Sequence, residues 1–335
     1  MLVIMVMLMA SAIAVSGVTL RLNENAVDIL DKQVENRARY IETQLQQAQD
    51  LTDLSNFIND KARQMLGEGT LSLDTLDYTG SESLPLLEAA APRLLEALRT
   101  KQVSGIFLIL NTHDFTERVS GNLLPCVYLR DLDPEATPSA DNSDVMFEHA
   151  PAELVQTFGI TTDKAWTPAQ LYLDGEEDVF YVRPFQAAYE SEERTRAADY
   201  GRWTTLPYTL LGDDREAIAY AQPLILEDGT VYGILGIEML ESYMETKLPW
   251  DELQNDHHGS YLLTSTTSDL RGEELQLHVT ANTGEQKTAL QKDGWELTLH
   301  RAKDYWYYPS GGADQVASIR QISLYSRNAP FSGER

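Results

Sequence analysis

From Leu22 to Leu66 the chain contains no proline, and Val34, Ala38, Ile41, Leu45 and Ala48 fall alternately four and three residues apart. That spacing gathers them into one stripe along a helix. Run backwards, the repeat lands on Asp31 and then Val27, with Leu30 beside it as the nearest apolar substitute. After Ala48 the spacing tightens to two threes through Leu51 and Leu54, then settles to fours at Ile58, Ala62 and Leu66. Such a phase change turns the stripe around the helix, so its packing partner changes there. A helix over residues 22–66 is about 67 Å long, more than one small domain covers. The stripe fits a helix lying on its own domain and equally a helix that pairs with its twin in a homodimer.

Twenty residues without a charged side chain, Met1–Leu20, precede the helix. As helix they cover about 30 Å, so the run predicts a transmembrane helix over residues 1–21. Ala10-Ser11-Ala12 resembles a signal-peptide cleavage site, but no basic residue precedes the run and it exceeds the usual apolar length of such peptides, which favours an uncleaved anchor.

The 335 residues carry 26 Lys and Arg against 52 Asp and Glu, a net charge of −26. That field repels phosphate backbones and excludes nucleic acid as a partner. It suits a domain held in solution beside a membrane by a hydrophobic anchor. The single cysteine, Cys126, has no disulfide or redox partner within the chain and reads as a small buried hydrophobe.

Leu84–Leu98 reads as a shorter helix despite Pro85 and Pro92. The pattern then turns to strands: Val103–Leu110, Cys126–Leu129, Phe180–Val182, Ala217–Ile225, Val231–Met239, Tyr261–Thr264, Leu275–Val279, Trp295–His300 and Val316–Leu324. Strands that follow helices, rather than alternating with them, predict antiparallel α+β units. The clearest hairpin joins Ala217–Ile225 to Val231–Met239 through Glu227-Asp228-Gly229-Thr230. A boundary near Glu245 gives the division 1–21 anchor, 22–66 long helix, 67–245 first unit and 246–335 second unit. The chain ends at Arg335 without a second apolar run and reads as the front part of a longer protein.

The sequence has no HExxH, GxSxG, GxGxxG or GxxxxGK[ST], so no catalytic residue and no cofactor is assigned. Gly229, Gly233 and Gly236 read as small residues where a strand packs closely on a helix. Asp131, Asp133, Glu135, Asp141 and Asp144 resemble a calcium loop, but Ala136 stands where the turn needs glycine and Asn142 where a bidentate Glu belongs. They read as a solvated loop, and no metal site is assigned. His257 and His258 are adjacent in a turn-like stretch, a spacing that points side chains apart in most backbone conformations and makes a weak metal signal.

Aromatic and cationic residues cluster instead. Tyr128-Leu129-Arg130, Tyr181-Val182-Arg183-Pro184-Phe185 and Tyr200-Gly201-Arg202-Trp203, followed by Pro207-Tyr208, bring rings and guanidinium groups together in an acidic chain. An Arg fork suits a carboxylate, and an aromatic wall beside a carboxylate suits an ammonium group. The cluster therefore predicts a pocket for a small molecule, a carboxylate or an amine.

The stretches Trp203–Tyr208, Ile218–Leu224 and Glu227–Met239 resemble the core signature of the double Cache sensor domain, an extracytoplasmic module of bacterial receptors. The resemblance implies two PAS-like units in tandem on one long helix, the ligand in the membrane-distal unit, and a homodimer that relays occupancy to a kinase, cyclase or chemotaxis module. In the amino-acid-binding branch, Arg183 and Tyr208 match the pocket pattern and Glu238 lies near its acidic position. Phe185 and Gln186 stand where the pattern has Trp and Tyr, and Asp178 where it has Tyr, so the ligand is not carried over. The expected ligand-binding set is Arg183, Phe185, Trp203, Tyr208, Tyr220, Tyr128, Arg130 and Glu238. The alternative is a membrane-anchored hydrolase using paired carboxylates from Asp131–Asp144.

Overall fold

The computed structural model describes residues 2–10, 17–77, 81–115, 123–171, 180–192, 196–250, 259–266, 268–284, 295–302, 305–310 and 313–325. Asp178 and the pair His257 and His258 lie outside the described residues. Two units form, one continuous from Gln47 to Tyr243 and one made of Met1–Gln46 with Met244–Arg335. The helices are α1 (Gly17–Ala48), α2 (Thr52–Glu68), α3 (Leu84–Lys101), α4 (Ala152–Phe158), α5 (Val182–Tyr189) and α6 (Glu241–Thr246). The strands are β1 (Leu2–Ala10), β2 (Gly105–Leu110), β3 (Leu123–Leu124), β4 (Cys126–Asp131), β5 (Val145–His149), β6 (Thr161–Thr167), β7 (Gln170–Leu171) and β8 (Arg202–Trp203). They continue with β9 (Ala217–Ile225), β10 (Val231–Leu240), β11 (Gly259–Thr266), β12 (Glu274–Gly284), β13 (Glu296–Arg301), β14 (Trp306–Ser310) and β15 (Ala313–Ile322).

The proline-free stretch folds as two helices and not one. Its interruption between Ala48 and Thr52 falls where the apolar spacing changes phase, because two successive threes would overwind a continuous helix. Lys101 Nζ donates to the Gln47 and Asp50 carbonyl oxygens at 3.2 and 2.5 Å, and Asp50 Oδ1 accepts the Thr52 amide at 3.2 Å. These bonds satisfy groups that the break leaves bare. Val34, Ala38, Ile41 and Leu45 are all buried by their own chain. The seam is therefore core and is not open to a twin. Even its polar position is used: Asp31 accepts from the Ser318 hydroxyl and pairs with Arg320 at 3.1 Å.

The N-terminal apolar run does not form the expected transmembrane helix. Leu2–Ala10 pair antiparallel with β11, from Leu2 opposite Thr266 to Met9 opposite Gly259, and with β15, from Val3 opposite Ile322 to Ala10 opposite Gln315. Among the described residues no helix is long and apolar enough to cross a membrane. Val, Ile and Met serve a strand as well as a span, and two waiting strand edges satisfy the backbone of β1. With β12, β13 and β14 the result is an antiparallel sheet closed into a barrel, where a PAS-like antiparallel-sheet unit was expected. Leu262, Leu275, Leu277, Val279, Leu297, Leu299 and Ala317 form its core.

The Gln47–Tyr243 unit is built on a seven-stranded sheet in the order β6-β5-β4-β2-β10-β9-β8, antiparallel except for β5 with β6. Phe107, Ile109, Cys126, Tyr128, Ala219, Ala221 and Ile234 face α5, whose Val182, Phe185 and Ala188 pack on them. Intervening residues turn to the other face, and the bulge between Val231 and Gly233 turns Tyr232 there too, where it donates to Asn59 of α2 at 2.5 Å. Phe180–Val182, read as a strand from its apolar content, leads instead into α5. Pro184 falls in the first turn, where its missing N–H costs nothing, and Tyr181, Phe185 and Ala188 then share one helical face. Gly236 is required by close approach, since a Cβ there would stand 2.2 Å from the Phe107 ring and 2.6 Å from the Tyr220 carbonyl oxygen. Its close neighbours are adjoining strands, where a helix was expected.

Candidate ligand-binding site

Strand register decides which side chains meet. Glu238 of β10 stands opposite Gly105 of β2, and Gly105 stands opposite Arg130 of β4. The middle position of this row has no side chain. A Cβ at Gly105 would lie 2.8 Å from Glu238 Oε1 and 3.2 Å from the Tyr128 ring. Its absence lets Arg130 and Glu238 bond across β2.

Arg130 Nε and Nη2 donate to the two Glu238 oxygens, each at 2.7 Å, in a bidentate fork. Nη1 donates to Glu148 of β5 at 2.9 Å and to Asp213, in the turn before β9, at 2.5 Å. All four side chains are withdrawn from solvent. Arg215 adds bonds to Asp213 at 2.8 and 2.9 Å, to Asp163 of β6 at 2.8 Å and to Glu148 at 3.3 Å. Above Glu238 the Tyr128 hydroxyl donates to Oε2, while the Tyr208 hydroxyl lies 3.2 Å from Oε2 and 3.0 Å from the Tyr128 hydroxyl. Phe180 closes this group by stacking on Tyr208, ring centroids 4.5 Å apart.

Burial, reinforced by the Glu238 charge, holds the Tyr128 and Tyr208 hydroxyls well above the usual phenol range, so both stay donors. Burial also lifts Glu148 to about 7 despite Arg130 and Arg215, and lowers His149 to about 4 with help from Arg130. Asp213 goes the other way: burial would raise it, but its bonds from Arg215 and Arg130 win and hold it at about 2.

Glu148 and His149 give opposite pH dependences. The folded chain keeps a proton on Glu148 below about pH 7 that the unfolded chain binds only below its ordinary 4.5, so acidification across that window stabilises the fold. His149 stays neutral in the fold until about 4 while the unfolded chain protonates near 6.5, so acidification there destabilises it. The two offset each other between about pH 6.5 and 4.5. In Glu148→Gln only the histidine slope remains, and urea midpoints should fall steadily as the pH drops from 6.5 to 4.5, by at most roughly 1.4 kcal/mol per pH unit. A variant whose midpoint is as flat as the parent's would contradict the opposition.

Of the expected ligand set, the structure brings together Tyr128, Arg130, Tyr208 and Glu238. Arg183, half-buried on α5, lines a shallow neighbouring cleft with Phe180, Pro184, Arg202, Trp203 and Thr204 that has a cavity volume of about 10 Å³ and opens to solvent. Phe180 belongs to both and joins them. Phe185 is fully buried instead, edge-on to Phe115 at 5.1 Å and stacked on Tyr189 at 5.6 Å. Tyr220 stands opposite Ile237, one step out of the Glu238 row, with its ring 5.7 Å from Trp203. Trp203 touches the cleft, but its indole N–H donates to Gln49 Oε1 at 2.8 Å.

Sequence reading missed Glu148, His149, Asp213, Arg215 and Gly105. One signal was available. Arg130 shares the inward face of a strand with Tyr128, after the apolar run Cys126–Leu129, and a buried guanidinium demands carboxylates. Nothing local says which ones. In the acidic loop Asp144 pairs with Arg99 at 3.0 Å, Asp141 accepts from Ser139 and Ser143, and Asp131 accepts the Asp133 amide. Among the described residues no group of three or more His, Cys, Asp or Glu could hold a metal ion.

No family model and no curated protein matches the chain. Its fold is similar to the periplasmic sensory domain of the Campylobacter jejuni chemoreceptor Tlp1, with TM-score 0.44 and 12% identity over 92% of this chain and 98% of that one. It is similar to the ligand-binding domain of Campylobacter jejuni Tlp3 in complex with L-norvaline, with TM-score 0.41 and 10% identity over 93% and 100%. The ligand-binding domain of the Pseudomonas aeruginosa PAO1 amino acid chemoreceptor PctC in complex with GABA gives 0.35 and 14% over 90% and 100%.

Proposed function

We propose that the chain is the ligand-sensing input module of a bacterial transmembrane receptor, non-catalytic and extracytoplasmic. A small molecule, amine or carboxylate, binds on the α5 face of the Gln47–Tyr243 unit. The observation that carries this reading is the convergence of the Tyr128 and Tyr208 hydroxyls on Glu238 beneath Phe180, a ring that also lines the open Arg183 cleft. Displacing one aromatic ring connects solvent to two hydroxyl donors and a carboxylate, the few convergent polar groups that fix a ligand in an apolar pocket. The signature over Trp203–Met239 supports the same reading. Binding biases the receptor between two states, and the unit carrying it is the membrane-distal one. A homodimer formed along α1 uses its outer face, where Ile29 and Tyr40 are exposed, because the buried seam is taken.

The test is a thermal-shift screen of small amines, carboxylates and sugars on the full chain, with each hit titrated against Tyr208→Phe and Arg183→Ala. Tyr208→Phe should weaken a true ligand about tenfold, and Arg183→Ala an anionic one by roughly ten to a hundredfold. A hit that binds both variants as tightly as the parent places the site elsewhere.

A further inference from the structure

His149 stands opposite Tyr128 across β4 and β5, its ring edge-on to the tyrosine with centroids 5.9 Å apart. It is 5% exposed. Its Nδ1 lies 2.5 Å from Thr167 Oγ1, and the Thr167 hydroxyl spends its one proton on the Ala169 carbonyl oxygen at 2.8 Å. The Thr167 oxygen therefore accepts from His149, which puts the imidazole hydrogen on Nδ1. Nε2 is left as a bare lone pair, buried and, among the described residues, without a hydrogen-bond partner. An unpaired buried acceptor is rare in folded proteins and costs free energy. Protonation does not relieve it, since burial and Arg130 keep the ring neutral down to about pH 4.

The neighbouring cluster has a second deficit. Among the described residues the carboxyl groups of Glu238, Glu148, Asp213 and Asp163 share the two guanidinium groups of Arg130 and Arg215, and even with Glu148 protonated, as burial keeps it below about pH 7, the carboxylates outnumber the cations by one. An acceptor without a donor and carboxylates without enough cations are both answered by one kind of group, a cationic N–H. The faces of Tyr128, Tyr208 and Phe180 suit such a cation as well.

We propose that the ligand is an organic cation with an N–H donor and that His149 Nε2 receives it. This rests on the binding site proposed above and adds a specificity-determining residue to it.

Calorimetric titration of the full chain uses n-propylammonium, its N,N,N-trimethyl analogue and butyrate as probes. Propylammonium should bind, the trimethyl analogue of equal charge at least about tenfold more weakly, and butyrate not at all. His149→Phe should cost propylammonium about tenfold and leave the trimethyl analogue unchanged, while His149→Gln, which restores an acceptor, recovers part of the loss. Nitrogen-15 histidine spectra should show the Nδ1–H tautomer, with the Nε2 signal shifting as propylammonium is added. Should His149→Phe fail to fold, His149→Gln and these spectra carry the test. Equal affinity for the two cations, propylammonium binding that ignores the His149 variants, or an Nε2–H tautomer overturns the proposal. Butyrate binding that depends on Tyr208 overturns the cation and leaves the site standing. If no probe or screened compound responds to Tyr208→Phe, the site itself fails.

Discussion

Arg130→Ala is expected to cost the Gln47–Tyr243 unit about 3–5 kcal/mol, a large share of the roughly 5–15 kcal/mol that holds an ordinary domain folded. The size follows from what is left behind. Removing the guanidinium strips four hydrogen bonds from Glu238, Glu148 and Asp213 at once, and all three carboxylates stay buried. Arg215 remains for Glu148 and Asp213, but among the described contacts Glu238 keeps only its tyrosine donors. Arg130→Lys should recover part of the loss, since it restores the charge without the planar fork that meets both Glu238 oxygens. Gly105→Ala should weaken the same pair from the opposite direction, because the added methyl enters the space over β2 through which they bond. Urea denaturation followed by circular dichroism measures all three variants. An Arg130→Ala protein within about 1 kcal/mol of the parent would show that the cluster is not holding the sheet together.

A charge in the helical seam should be nearly as damaging. Val34→Asp or Ile41→Asp places an unpaired carboxylate where the parent side chains are 0% and 1% exposed, at a cost of several kcal/mol. The unit made of Met1–Gln46 and Met244–Arg335 should lose its fold, and any self-association should disappear with it. Ile29→Asp is the control on the same helix, since its parent side chain is 55% exposed and the change should stay within about 0.5 kcal/mol. Thermal melts and sedimentation velocity on the same samples decide the matter. If Val34→Asp melts like the parent and only association is lost, the seam faces a second copy after all.

The residues show why one part of this chain was legible and another was not. Ala217–Ile225 and Val231–Met239 could be read because strong apolar runs flank a glycine-containing turn, and hairpin partners are neighbours in sequence. The stripe from Val34 to Leu66 was legible, and its change of phase marks where the chain breaks, but the reading carried one helix across that point. β5 and β6 were not, because Glu148 and His149 interrupt the apolar pattern of β5 and Thr161–Thr167 is mostly polar and lies partly or fully exposed. In the site, the types of residue could be read but not their partners. Arg183 and Phe185 fell on a helix, where positions two apart point in different directions. Trp203 and Tyr220 stand one residue out of step with Arg202 and Ala221, which turns them away from the Glu238 row.

The sequence by itself determined what depends on near neighbours: the helical stretches from Val34 to Leu66 and from Leu84 to Leu98, the hairpin and the buried stripe. Tertiary structure decided whatever needed a distant partner. Leu2–Ala10 became a strand because residues 259–266 and 315–322 offered it two edges, which no periodicity in residues 1–20 records. Arg130 gained its carboxylates from positions 148, 213 and 238 because the sheet order sets β4, β2 and β10 side by side with a glycine between. Backbone propensity is a property of a few consecutive residues. A strand's hydrogen bonds and a buried charge's counter-ions are supplied across the fold, and only the assembled sheet selects them.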